Sequence, residues 1–241
     1  KIFKLADLAV ALQGVVERIG LPGSTLELQE HTSGRMIRRN FPSGIHLQRE
    51  AFRQVAGYLK HWSQRLRGAA HRIVHGGETF RRPTWLKANV LQELRKLSRL
   101  APLHNPINLE IIEAVGELFP GVPNLGVFDT AYYASLLPEA YLYALPLEYY
   151  TQHGVRRYGF HGISHQYLAE AAAQKLRQPL RRLRLITCHL GAGCSLTATK
   201  FGQAVETTMG FTPLAGLTMA TRSGDLDPAA VIYLQRTLHV S

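Results

Sequence analysis

The chain has 241 residues, of which 46% are hydrophobic and 19% charged, so its composition is that of an ordinary globular protein with one large or two small domains. No apolar run approaches the roughly 20 residues that a membrane span needs, and residues 1–20 lack the apolar core of a signal peptide. We therefore expect no membrane partner. The only cysteines are Cys188 and Cys194, which predicts no disulfide framework and a reducing, cytoplasmic location.

The formal net charge is +11, which invites a nucleic-acid-binding interpretation. The basic residues, however, are spread along the chain in small clusters, and none of these clusters is interleaved with aromatic residues as a base-stacking surface would be. The charge pattern therefore favours a solvated basic surface or attraction for small anions over nucleic acid.

Periodicity predicts alternating helices and strands, and hence the α/β class. Helices are expected at about 48–67, from Asn105–Pro106 to Pro120, from a Ser164 cap onward with Leu168, Ala171, Ala172 and Leu176 on the helix, and from Asp227–Pro228 onward as a final helix. Strands are expected at 71–75, 125–128, 185–190, 195–200 and 204–208, the third of these fully buried. The aromatic-rich stretch 132–150 is the best candidate for a domain junction.

Three candidate site residues lie next to turns or helix starts. Arg72 stands in a short apolar strand before Gly76–Gly77, where a guanidinium can bind a carboxylate or phosphate with two hydrogen bonds, or simply lie on the surface. His104 precedes a helix N-terminus, which favours anions. Asp129 follows a strand, where carboxylates hold metals or orient nucleophiles, although an Asx-turn would produce the same pattern.

Three further segments are rich in glycine. His161 lies between glycines and four positions before His165, which suggests zinc only weakly because Gly162 interrupts a helix and no third ligand is evident. The turn Gly191–Gly193 joins two strands and could bind phosphate through its N–H groups, or be a plain hairpin. Arg222 is followed by Gly224 and two aspartates, which indicates either a positioned guanidinium or a salt-bridged loop.

Six segments in order resemble the acetate and propionate kinases: HRIVHGG, APLHNP, FDTAY, YGFHGISH, CHLGAGCS and MGFTPLAGLTMATRSGDLDP, which together span residues 71–228. The resemblance implies an actin/sugar-kinase/Hsp70-type, ribonuclease H-like fold with two domains and a cleft. Residues 1–130 would form a partial acyl- and phosphoryl-side domain, and residues 131–241 a partial nucleotide-side domain. The implied reaction is reversible transfer of the ATP γ-phosphoryl group to acetate or propionate, giving acyl phosphate and ADP, with Mg²⁺ or Mn²⁺, in a homodimer.

The resemblance also assigns roles to individual residues. Catalytic roles are implied for Arg72, His104, Asp129, His161 and Arg222. The carboxylate substrate would meet Arg72, with Val74, Leu103, Phe160 and Pro213 around its alkyl group. The nucleotide would meet His189, Leu190, Gly191, Ala192 and Gly193.

The chain departs from the family pattern at two places. Ala192 stands where the family usually has asparagine, which removes one side-chain contact to the nucleotide. The family's opening phosphate loop and its C-terminal adenosine and magnesium segments have no counterpart in the sequence, so we expect the fold to be incomplete at both ends, the metal ligands to lie outside the chain, and the chain alone to be inactive or badly impaired.

Other functions stay open at this point. The chain could be a butyrate or other short-chain acyl kinase, although Leu103–Pro106 favours the acetate and propionate branch. It could also be a non-catalytic relative that binds acyl phosphate or a protein partner. A basic nucleic-acid binder is the third alternative.

Overall fold

The computed structural model describes residues 1–238 and has the mixed α/β character that the periodicity predicts. Within that range the strands are β1 Ile2–Phe3, β2 Val10–Glu17, β3 Ser24–Glu30, β4 Met36–Phe41, β5 Ala69–Ile73, β6 Thr84–Trp85, β7 Asn124–Phe128, β8 Arg184–Leu190, β9 Cys194–Lys200 and β10 Gln203–Thr207. The α-helices are α1 Gln48–Leu59, α2 Ala88–Leu97, α3 Asn105–Leu118, α4 Pro138–Tyr141, α5 Leu147–His153, α6 Gly162–Leu176 and α7 Pro228–Leu238. No helix among residues 1–238 is long and apolar enough to cross a membrane.

Contacts divide the chain into two compact units, the first made of residues 1–69 and 109–124. Its sheet is an antiparallel meander in the order β1-β2-β3-β4. Alternate apolar residues of β2 and β3 form the core, in which Leu26 is fully buried and onto which Val55 and Leu59 of α1 pack. Helix α1 begins where predicted, but it ends at Leu59 and continues as a 3₁₀ segment, Lys60–Arg65.

The second unit comprises residues 70–108 and the chain from 125 onward, and it contains two three-stranded sheets. One has β7 in the middle, between β5 and β6. The other has β9 in the middle, paired antiparallel with β8 and with β10. The predicted domain boundary after residue 130 falls inside this unit, and the division into residues 1–130 and 131–241 stays a prediction.

Several predicted elements are confirmed because their signals are local. Strand β7 ends directly before Asp129, the β9–β10 hairpin turns at Gly202, and Asp227 caps α7 by accepting a hydrogen bond from the Ala229 N–H at 2.9 Å. Helix α3 begins at Asn105, but the side-chain amide of that residue bonds the main chain of His75.

Two predictions are wrong. Strand β8 is an edge strand rather than a buried one, with Ile186 73% and Leu190 75% exposed and Cys188 exposed with them. Helix α6 begins at Gly162 and not after Ser164, and its buried residues are Gly162, His165, Ala169 and Ala173. Its start depends on a main-chain contact with Asp129, which local sequence does not reveal.

Candidate active site

A cavity of about 660 Å³ lies within the second unit. The end of β5, the loop before α3, the end of β7, the start of α6, the β8–β9 turn and the segment after β10 all contribute to it. Its lining residues are Arg72, Val74, His104, Asp129, Phe160, His161, Ile163, Ser164, Tyr167, His189, Gly193, Pro213 and Arg222. All five predicted catalytic residues are thus brought together by elements that are far apart in the sequence.

Arg72 and Asp129 form an ion pair at the wall of the cavity. Arg72 Nε donates to the carboxylate at 3.1 and 3.2 Å, and Nη2 donates to Oδ2 at 2.5 Å. The Asp129 side chain is only 2% exposed whereas that of Arg72 is 62% exposed. This hydrogen bond raises the pKa of the Arg72 guanidinium. The pair orients the guanidinium, whose Nη1 side carries no other described bond and remains available to a ligand.

The main chain fixes the distance between Asp129 and the start of α6. The Asp129 N–H donates to the Ile73 carbonyl at 3.0 Å, and the Gly162 N–H donates to the Asp129 carbonyl at 2.9 Å. A Cβ at position 162 would overlap that carbonyl oxygen, so the approach requires glycine. His161, just before the helix, has φ +59°, which is uncommon for a residue other than glycine, so this packing holds the backbone in a strained conformation.

Two imidazole rings stack at this point of the cavity. The centroids of His161 and His189 are 4.1 Å apart with an interplanar angle of 24°. Burial, followed by the charges of His189, Arg72 and Arg222, lowers the pKa of His161 to about 4. His161 is therefore neutral near pH 7 and can donate a hydrogen bond from only one of its nitrogens.

The imidazole rings of His161 and His165 both form a hydrogen bond with the same serine. His161 Nδ1 lies 2.9 Å and His165 Nε2 2.8 Å from the Oγ of Ser195, which is fully buried. Across residues 1–238, no group of three His, Cys, Asp or Glu side chains could hold a metal ion. The spacing of these two histidines therefore serves a hydrogen-bond network.

Arg222 faces the cavity without a carboxylate partner among the described residues. Its Nη1 donates to the Pro213 carbonyl at 3.1 Å and contacts Met219 Sδ at 3.4 Å. The Asp225 carboxylate instead accepts from the Gly216 N–H at 2.7 Å, so the loop is not salt-bridged through Arg222. The charge of Arg222 is thus available to an anion.

His104 is held beside the two arginines. Asn105 at the start of α3 exchanges two hydrogen bonds with the main chain of His75, at 2.9 and 3.2 Å, which ties the loop that carries His104 to the end of β5. Burial and then the charges of Arg222 and Arg72 lower the pKa of His104. The cavity lining contains two arginines against one carboxylate and therefore carries net positive charge.

Of the predicted apolar pocket, Val74, Phe160 and Pro213 line the cavity and Leu103 does not. The Leu103 side chain is 77% exposed in the turn before α3. Phe160 and Val74 belong to a cluster with Tyr158 and Met209, which fixes this apolar wall from behind.

Only part of the predicted nucleotide loop lines the cavity. His189 and Gly193 line the cavity, while Leu190, Gly191 and Ala192 point to solvent. The Gly191 N–H donates to the Gly193 carbonyl at 3.0 Å and closes the turn. A Cβ at position 193 would lie 3.1 Å from His161 Cε1, so glycine lets the turn pack on that ring.

Sequence reasoning missed four residues of the site. Ile163, Ser164 and Tyr167 line the cavity from the first turns of α6, and Ser164 Oγ lies 2.9 Å from His189 Nδ1. Ser195 does not line the cavity but lies behind its wall, where it forms hydrogen bonds with His161 and His165. Its only sequence signal is its alternation with Leu196 in β9, which would ordinarily place the apolar residue inside.

Comparisons with known proteins show to which family the chain belongs. The Acetokinase family profile matches residues 1–241. The chain is 44% identical over 240 residues to the acetate kinase of Thermotoga petrophila, covering 96% of this chain and 58% of that protein, and 46% identical over 232 residues to that of Caldicellulosiruptor bescii, covering 95% and 58%. The chain spans about 58% of the length of these curated relatives.

Solved structures give the same result for the fold. The acetate kinase of Porphyromonas gingivalis matches with a TM-score of 0.88 at 36% identity, and a propionate kinase from Francisella tularensis with a TM-score of 0.90 at 33% identity. Each alignment covers 99% of this chain and 61% of the other. The predicted actin-like α/β fold is thereby confirmed, and the chain belongs to the Acetokinase family.

Proposed function

We propose that the protein transfers a phosphoryl group reversibly between ATP and a short carboxylate, acetate or propionate, giving an acyl phosphate and ADP. The observation that carries the proposal is the cavity itself, in which two arginines and the imidazoles of His104 and His161 converge beside an apolar wall. Membership of the Acetokinase family supports the same reaction.

The shape and charge of the cavity support a small anionic substrate with an alkyl end. Arg72 and Arg222 supply positive charge, while Val74, Phe160 and Pro213 supply an apolar surface for a methyl or ethyl group. Both acetate and propionate kinases occur among the related structures. One methylene changes binding by only about 1–3 kcal/mol, so we propose that both substrates are accepted.

The proposed reaction depends on positioned hydrogen-bond donors more than on a general base. A carboxylate is already ionised near pH 7, so no group has to remove a proton from it. The phosphoryl group in transit carries charge on three oxygens, and donors placed around them lower the barrier. In this proposal Arg72, Arg222, His104 and His161 are those donors, and Asp129 orients Arg72.

The nucleotide would bind at the β8–β9 turn, where His189 and Gly193 reach the cavity. Among the described residues, Asp129 is the carboxylate that lines the cavity, and Mg²⁺ is often held by one or two carboxylates together with substrate phosphates. The described residues thus fit a Mg²⁺ that arrives with the nucleotide rather than a separate protein metal site. Such an ion would neutralise phosphate charge.

The proposal extends to a homodimer in the cytoplasm. Both cysteines are free thiols, which suits a reducing compartment. Light scattering coupled to size-exclusion chromatography tests the first statement, and fractionation of the producing cell tests the second. A monomer at micromolar concentration would contradict the dimer without affecting the proposed reaction.

The reaction is tested by acyl-hydroxamate formation from the 241-residue chain with ATP and Mg²⁺, using acetate, propionate and butyrate in parallel. We expect product at a low rate with the first two and less with butyrate. The folded state of the same sample is checked by circular dichroism. A folded chain that forms no product, and that releases no ATP from acetyl phosphate and ADP, would contradict the proposal for this chain.

A further inference from the structure

A buried line of hydrogen bonds runs to the back of His161. Thr187 Oγ1 lies 2.7 Å from His165 Nδ1, His165 Nε2 lies 2.8 Å from Ser195 Oγ, and Ser195 Oγ lies 2.9 Å from His161 Nδ1. His165 and Ser195 are fully buried and Thr187 is 7% exposed. We infer that Thr187, His165 and Ser195 are positioning residues that hold His161 in the tautomer with its proton on Nε2.

The inference follows from counting protons. A hydroxyl has one proton to donate, and a neutral imidazole has one donor and one acceptor nitrogen. If His165 and His161 both donated to Ser195, its own O–H would be left without an acceptor in a buried site, at a cost of about 1–3 kcal/mol. The groups in the line therefore all donate in one direction, either toward His161 or away from it.

Thr187 determines the direction. When donation runs toward His161, the Thr187 hydroxyl donates to His165 at 2.7 Å, a normal length for such a bond. When it runs away, that hydroxyl must donate to the other available acceptor, the Thr197 carbonyl, at 3.5 Å. That separation lies beyond the 2.5–3.0 Å of an O–H···O bond. Donation toward His161 is therefore favoured.

The two rings are neutral, so the tautomer and not the charge is what the line controls. Burial is the main cause that lowers the pKa of both His161 and His165 to about 4. The proton count above therefore applies near pH 7.

The line of hydrogen bonds therefore gives the cavity one defined hydrogen-bond donor, the Nε2–H of His161. With Ser195 donating to Nδ1, the Nε2–H of His161 is directed away from Ser195, at the edge where Gly193 packs. No described residue forms a hydrogen bond with that nitrogen. If the proposed function holds, this N–H is the group that meets the phosphoryl oxygens, whereas the opposite tautomer would present a lone pair to them.

The test is the tautomer of His161, measured by long-range ¹H–¹⁵N correlation spectra of ¹⁵N-histidine-labelled protein near pH 7. His161→Gln assigns the signal. We expect Nε2 protonated in the unmodified chain and a mixture of tautomers in Ser195→Ala. Thr187→Val should also produce a mixture, while Thr187→Ser, which keeps the hydroxyl, should retain the original spectrum.

Thr199→Val is the matched control. It removes another buried hydroxyl of β9, one that bonds Tyr132 at 3.0 Å, and should leave the His161 signal unchanged. In the hydroxamate assay, Ser195→Ala should lower kcat on the order of tenfold, the equivalent of one hydrogen bond, with little change in KM for the carboxylate.

Two results would overturn the inference: a proton on Nδ1 of His161 in the unmodified chain, or an unchanged His161 signal in folded Ser195→Ala. The unmodified spectrum decides even where a variant does not fold. Because the spectra need no substrate, the expected tautomer in a chain without activity would reject the proposed function alone. Activity with the opposite tautomer would reject this inference alone.

Discussion

The two faces of the β8–β9 hairpin differ in both polarity and burial. The inner face, defined here as Thr187, His189, Ser195, Thr197 and Thr199 together with the half-buried Leu185, is mostly polar and largely buried, with Ser195 and Thr197 at 0% exposure. The outer row of β8, defined as Arg184, Ile186, Cys188 and Leu190, is mostly apolar and exposed. This inverts the usual arrangement, in which apolar residues face the interior.

The inner face tolerates burial because its hydroxyls have partners. Thr197 Oγ1 lies 2.9 Å from the Tyr133 hydroxyl, Thr199 Oγ1 lies 3.0 Å from that of Tyr132, and Ser195 is bonded to two histidines. Satisfied buried networks are rigid and specify one arrangement. The comparison teaches that this hairpin is organised around the chemistry of the cavity.

The largest expected change in kcat distinguishes an arginine of the cavity from an arginine of the outer row. Arg222→Ala should lower kcat by about 10²–10³, because one donor to the reacting oxygens is worth about 2.7–4 kcal/mol. Arg184→Ala, on the outer row, is the matched control and should leave kcat unchanged. Both are measured in the hydroxamate assay. Near-normal turnover of Arg222→Ala would remove Arg222 from the proposed mechanism.

The next effect is the dependence of stability on pH. His75, His161 and His165 have pKa values lowered to about 4 by burial, so between pH 6.5 and 4 the unfolded chain binds protons that the folded chain does not. The free energy of unfolding should therefore fall as the pH falls through that window. Urea midpoints at several pH values measure it.

A paired variant isolates one histidine of this set. His165→Gln should make the dependence shallower, and His31→Gln, at an exposed site, should leave it as it is. A midpoint that stays constant from pH 6.5 to 4 would mean that these rings titrate in the folded chain as they do in the unfolded one.

A smaller effect compares two glycines of the same turn. In Gly193→Ala the new Cβ would lie 3.1–3.2 Å from the His161 ring, which must move by a few tenths of an ångström, and we expect a loss in kcat of about tenfold. In Gly191→Ala the atom nearest to the new Cβ lies at 3.5 Å, so the His161 ring need not move and the loss in kcat should be smaller. Equal kcat for the two variants would show that contact of the turn with His161 has no bearing on the reaction.

The smallest effect compares the two faces directly. Thr197→Val removes a buried hydroxyl bonded to Tyr133 and should reduce the free energy of unfolding by about 1 kcal/mol. Ile186→Thr, on the outer row, should change it by less than about 0.5 kcal/mol. Denaturant titrations measure both, and a greater cost for Ile186→Thr would show that the outer row is covered in solution.

How far the sequence predicts this molecule follows from the range of each signal. Strand β7, the β9–β10 hairpin and the Asp227 cap of α7 were predictable because glycine, proline and capping residues act on their neighbours. The meander β1–β4 was not predicted, although Ser24–Glu30 alternates in a strand-like way. The exposure of β8 and the start of α6 depend on partners distant in sequence.

The candidate site shows the same limit. The family motifs implied that Arg72, Asp129, His161 and Arg222 belong to one site. The structure places all four in the lining of one cavity. The motifs did not reveal that Leu103 faces solvent, because the turn before α3 is shaped by Asn105 and His75. They also did not reveal Ser195, since a small hydroxyl in an alternating strand has no distinctive pattern until its two histidines are in place.

The main-chain bond between Gly162 and Asp129 has a consequence for how this cavity can change. Because the carboxylate-bearing strand end and the imidazole-bearing helix start are joined through backbone atoms, their spacing does not depend on any rotamer. Substitutions at Val74 or Pro213 can therefore reshape the apolar wall while the polar framework keeps its dimensions. Redesign for a longer carboxylate is best confined to that wall, with position 162 left as glycine.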